Sequence, residues 1–163
     1  MIKYMNLIGI KARKASEYKV TTEVKNKVLN DYAKLIKNEK EFIINQNSKD
    51  INYARKRRLK ENLIKRLHLD EIKLNGIINS ILKIAKLRDP INNTLEKWKR
   101  PNGLNIKRVS IPIGVIGVIY ESRPNVTSDV ASLCFKSGNV VILKGGSEAV
   151  SYTHLTLPTN SRV

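Results

Sequence analysis

The 163 residues carry 31 lysines and arginines against 14 acids, a formal net charge of +17, with 41% hydrophobic residues and one cysteine. That length makes about one domain, able to bury roughly 70% of its unfolded surface. No apolar run reaches the length of a membrane span and no signal-peptide core follows Met1; the lone Cys134 excludes an internal disulfide and suits a reducing cytoplasm.

Residues 3–88 read as helices throughout. Ile8, Ala12 and Ala15 recur at helical spacing, and Val24, Val28, Tyr32, Leu35 and Ile36 form a longer apolar stripe. Thr22 is expected to cap that second helix, with Glu23 at the positive end of its dipole. Phe42, Ile43, Ile51 and Ala54 continue the pattern, with a helix restart expected at Ser48. The basic run Arg55-Lys56-Arg57-Arg58 suits a polyanion. No zinc-finger, helix-turn-helix or RNP-like signature accompanies it, so lysine-rich solvated surface is preferred and nucleic-acid binding is the alternative. His68 has no second histidine or cysteine nearby and no metal role is assigned to it. Asp70 caps a helix carrying Ile77, Ile78, Ile81 and Ile84, which stops before Asp89-Pro90.

Residues 91–113 change character. Pro101-Asn102-Gly103 signals a turn, and Leu104 to Ser110 alternates as a half-exposed strand, the pattern of a hairpin or arm. Trp98 just before the turn is expected to anchor packing.

Residues 114–149 are the informative part. Gly114 to Tyr120 is continuously apolar, as in a strand covered on both faces. Val126 to Ser137 suits a helix with Gly138 as its left-handed terminator, and residues 139–144 form a second strand. Strand, helix, strand with short connections predicts a βαβ unit with parallel strands. Both polar clusters, 120–125 and 144–147, then follow the carboxyl end of a strand, where α/β sheets bind ligands. No GxGxxG fingerprint is present.

Residues 150–163, SYTHLTLPTNSRV with the valine before it, contain no lysine and no helical period. A Ser151–His154 pair there lacks the acid and oxyanion hole of a hydrolase. The segment resembles the translation of a sequencing-library adapter and is expected to be a foreign tail.

Tyr120-Glu121-Ser122-Arg123-Pro124-Asn125-Val126-Thr127 with Asp129, and Ser137-Gly138-Asn139 leading to Lys144-Gly145-Gly146, closely resemble the γ-glutamyl phosphate reductase family of the aldehyde dehydrogenase superfamily. The likeness runs over residues 7–149. It implies an α/β fold in which N-terminal helices (1–90) and a hairpin arm (91–113) precede the first, incomplete βαβ unit of a parallel Rossmann-like sheet (114–149). It also implies NADPH-dependent reduction of L-glutamyl 5-phosphate to glutamate 5-semialdehyde with release of phosphate, in proline biosynthesis, by a cytoplasmic homo-oligomer. In that chemistry a cysteine thiolate attacks the acyl phosphate and hydride then releases the aldehyde.

Carried over by position, the resemblance implies that Lys144 meets the cofactor's adenosine ribose or 2′-phosphate. Gly145, Gly146 and Ser147 let the backbone approach the cofactor, and Tyr120, Glu121 and Ser122 line it. Asn125 is the candidate oxyanion donor. Arg123 holds the substrate's phosphate or carboxylate, or else forms a buried ion pair with Glu121 or Asp129. Cys134 falls within the cofactor-domain helix as an inert packing residue; the nucleophilic cysteine lies outside these residues, and the chain as written is expected to be an inactive N-terminal fragment.

Overall fold

The computed structural model describes residues 2–121 and 123–145. Five helices come first: α1 (Ile2–Ser16), α2 (Thr22–Asn38), α3 (Lys40–Lys56), α4 (Glu61–Leu67) and α5 (Glu71–Lys86). A hairpin of β1 (Thr94–Lys99) and β2 (Asn105–Val109) follows, then β3 (Val115–Ile119), α6 (Pro124–Lys136) and β4 (Val140–Lys144).

The main core lies between α2 and α5. Leu74, Ile77, Ile78, Ile81, Ile84 and Ala85 of α5 face Leu29, Tyr32, Ala33 and Ile36 of α2. The buried stripe of α2 runs Lys25, Leu29, Tyr32, Ala33, Ile36, while Val24, Val28 and Leu35 of the expected stripe are exposed. A lysine at the first position of the true stripe hides its register, because the buried Lys25 ammonium has a partly buried partner in Asp89. In α1, Ala12 is buried and Ala15 exposed.

Thr21, one residue before the expected cap, accepts from the Val24 amide. Thr22 is released for another use, donating its hydroxyl to Asp89 at 2.8 Å. Asp70 caps α5 as expected, accepting from the Lys73 amide at 2.7 Å. No restart occurs at Ser48: α3 runs unbroken, and the Ser48 hydroxyl bonds back to the Ile44 carbonyl within it. Phe42 points outward.

Asn47 ties α3 to the chain after α4. Its fully buried carboxamide donates to the Leu67 carbonyl and accepts from the Leu69 amide, both at 2.9 Å. Asn47→Ala orphans both backbone groups and is expected to cost about 1–3 kcal/mol in urea unfolding. A loss below a few tenths of a kcal/mol would show that water replaces the amide.

Asp89 joins the helices to the hairpin. One carboxylate oxygen accepts from Thr22 and pairs with Lys25 Nζ at 2.9 Å; the other accepts from the Ile91 amide at 3.0 Å. Asn93 donates its carboxamide to the Asp89 carbonyl, and the Asn92–Ser110 and Ser110–Asn93 backbone bonds close the hairpin's base. The hairpin turns at Gly103, whose φ of +88° favours glycine. A bulge falls between Thr94 and Glu96. Trp98 is 41% exposed on β1, so it does not anchor packing among the described residues.

β3 and β4 pair in parallel, Val115 opposite Val140 through Ile119 opposite Lys144. α6 starts at Pro124, two residues earlier than expected, with proline at its first position where the missing N–H costs nothing. Gly138 ends it at φ +68°. β3 is apolar throughout, but its burial alternates and Ile119 is 83% exposed. Cover on both faces, expected from composition, is not observed for β3 among the described residues: of the two strands, α1 and α6 pack more on β4. The buried cation Lys136 crosses from α6 to the Ala85 carbonyl at 2.9 Å and to Asn26, fixing the βαβ unit on the helical core.

Candidate functional site

Parallel pairing brings the ends of β3 and β4 side by side, and the Tyr120 amide donates to the Lys144 carbonyl at 3.1 Å. Tyr120 and Glu121 of one polar stretch and Lys144 and Gly145 of the other therefore share one sheet edge. Lys144 is exposed there and Gly145 half-buried beside it. Ser122, Gly146 and Ser147 lie outside the described residues, as does the segment from 146 onward.

Tyr120 turns inward, its hydroxyl 2.6 Å from that of Thr127 on α6, which locks the strand end to the helix. Glu121 points to the helical part and pairs with Arg66 Nη1 at 3.2 Å. Arg123 is exposed and, among the described residues, makes no ion pair with Glu121 or Asp129. The buried salt bridge allowed by the sequence is thus absent: Glu121 is taken by Arg66, and Asp129 Oδ2 accepts from Asn125 Nδ2 at 3.2 Å. Asn125 is the second residue of α6, and its side chain is exposed.

Arg123, Pro124, Asn125 and Asp129 form one wall of an open cleft of about 460 Å³. Lys65 and Arg66 of α4 and Lys73, Ile77 and Ser80 of α5 form the other. Its size falls within the roughly 300–1,000 Å³ usual for small-molecule sites. The first turn of α6 contains no acid and its cap position makes no side-chain bond, so the positive end of the helix faces this region uncompensated. Lys65, Arg66 and Lys73 were not marked by the sequence. They sit among many other lysines on two helices, and only the packing of α5 against α6 brings them to Arg123.

The lone thiol does not line this cleft. Cys134 is buried in α6, and burial pushes its pKa up, keeping it protonated. Tyr32, raised first by burial and then by the Asp129 carboxylate, is likewise held neutral in the core. Arg55 and Lys56 occupy the last turn of α3, where cations suit the helix dipole, and the Arg57 guanidinium lies 4.6 Å above the Tyr53 ring. Helix-end packing accounts for part of the basic run. Among the described residues no metal-ligating cluster occurs and no helix is long and apolar enough to cross a membrane.

No family model matches the chain. A γ-glutamyl phosphate reductase of Nautilia profundicola is 48% identical over 135 residues, covering 83% of this chain and 33% of that protein. Its counterpart in Aliarcobacter butzleri is 52% identical over 125 residues, covering 77% and 30%. The crystal structure of the Thermotoga maritima enzyme superimposes with a TM-score of 0.85 at 38% identity, over 90% of this chain and 36% of that one. The likeness is to γ-glutamyl phosphate reductase. The Saccharomyces cerevisiae reductase gives a TM-score of 0.88 at 32% identity, over 92% of this chain and 39% of that one. The chain therefore spans about a third of the length of the reductases it matches, and it shares their mixed α/β fold across that third.

Proposed function

We propose that these residues are the N-terminal part of a γ-glutamyl phosphate reductase, a cytoplasmic homo-oligomer in its complete form. It reduces L-glutamyl 5-phosphate with NADPH to glutamate 5-semialdehyde, NADP⁺ and phosphate. The observation that supports this reading is the Tyr120–Asn125 stretch at a parallel strand edge, in a chain 48% identical to a reductase so named. Residues 1–90 form its helical part, 91–113 its hairpin arm and 114–149 the first βαβ unit for the cofactor.

The residues present fit NADPH. Lys144 is an exposed cation at the end of β4, suited to the 2′-phosphate, and Gly145 leaves room for the ribose against the backbone. Tyr120 and Glu121 flank that edge, with Ser122, Gly146 and Ser147 their expected continuation. When bound, NADPH supplies the hydride. Asn125 donates a hydrogen bond to the oxygen of the reacting carbonyl, and Arg123 holds the substrate's anionic end.

Phosphate-dependent reduction of NADP⁺ by glutamate 5-semialdehyde, followed by absorbance with the full-length protein, tests the reading. Activity is expected, and its absence with soluble, folded protein would refute it. Lys144→Glu is expected to raise the KM for NADPH tenfold or more while leaving that for NADH within about twofold, since one charge-assisted contact exceeds about 1.4 kcal/mol. An equal change for both nucleotides would remove Lys144 from the 2′-phosphate.

A further inference from the structure

We infer that the cleft between α5 and the start of α6 is a binding site for a single phosphate dianion, held by Lys65 and Lys73 from the helical part and Arg123 from the other wall. Four cations line it, Lys65, Arg66, Lys73 and Arg123, against the one acid Asp129. Arg66 is neutralised by Glu121. Setting Asp129 and Glu121 against the four leaves two positive charges uncompensated, the complement of a phosphate dianion rather than of one carboxylate.

The geometry supports the charge count. Lys73 Nζ is anchored by the His68 carbonyl at 2.7 Å, a neutral acceptor that fixes the ammonium without cancelling it. Lys65 and Arg123 have no acidic partner among the described residues. Asp129 on the cleft wall has one oxygen occupied, accepting from Asn125, and the other buried without a hydrogen-bond partner among the described residues. The Ser80 hydroxyl on the same wall adds a neutral donor. Cations gathered in a concavity, unlike a scattered basic surface, select one compact anion over an extended polyanion. On the function proposed above, the anion is the substrate's phosphoryl group, and that identity rests on that reading. The anion site itself stands on the cleft.

Calorimetric titration of inorganic phosphate into the full-length protein, at fixed ionic strength and a pH where phosphate is mostly dianionic, tests it. Saturable binding to one site is expected, with Lys73→Met and Arg123→Met each raising Kd about tenfold or more. Lys107→Met on β2, outside the cleft, is expected to leave Kd within twofold, and Lys65→Arg, which keeps the charge, to retain binding should a methionine variant misfold. Absence of saturable binding overturns the proposal. So does equal weakening by Lys107→Met, which would indicate diffuse attraction of the kind that holds RNA, or displacement by L-glutamate at equal concentration, which would assign the cleft to carboxylates. Phosphate binding with intact Lys73 and Arg123 dependence in a protein lacking reductase activity would refute the proposed function and leave the site standing.

Discussion

Asp89→Ala is expected to lower the unfolding free energy by about 3–5 kcal/mol, the cost of stranding a buried charge. The Lys25 side chain is 4% exposed and that of Asp89 13%, so water does not replace the lost carboxylate. Thr22 and the Ile91 amide lose their acceptor in the same step. Urea unfolding measures the effect, and Lys25→Met in the Asp89→Ala background is expected to restore part of it by removing the stranded charge. A loss under about 1 kcal/mol would show that the ammonium finds another partner.

The same node gives acid sensitivity. Burial pushes the Asp89 carboxyl up, but the bonds from Lys25, the Ile91 amide and Thr22 outweigh it and hold the pKa below its ordinary value. A depressed folded-state pKa contributes stability that is full above the unfolded-state value and lost as pH falls through the folded one. The wild type is thus expected to lose more stability than Asp89→Ala on acidification below the ordinary aspartate range.

Asn125→Ala is the second large effect. On the proposed function it removes a donor to the developing oxyanion, and kcat of the full-length enzyme is expected to fall by about 10²–10³, with KM nearly unchanged. The side chain is exposed and bonds only Asp129 Oδ2 among the described residues, so stability is expected to change by less than about 1 kcal/mol. A parallel rise in KM without loss of kcat would make Asn125 a binding residue, and a large stability loss would make it a structural one.

The βαβ unit was legible because its signals are local: β-branched runs and a glycine at the left-handed position. The α5 stripe was legible for the same reason, with Asp70 as its cap. The α2 register was not, because Lys25 stands where pattern reading demands an apolar residue, and its partner lies far along the chain. β1 escaped notice because all its residues are exposed and its sequence, Thr-Leu-Glu-Lys-Trp-Lys, buries nothing that would mark it. At the site, the sequence supplied the strand-end wall through Arg123 and Asn125. The α4–α5 wall needed the tertiary packing, since lysines there are indistinguishable by type and spacing from those that face solvent.

Asp89 reaches back 64 residues to Lys25 and 67 to Thr22. Contacts that close such long loops are costly to form before the elements they join are in place. The clasp is therefore expected to form late in folding, after α2 and α5 have met. Its loss is then expected to act mainly on the rate of opening, not of folding. On that expectation the hairpin gains persistence against unfolding from a contact outside its own ladder.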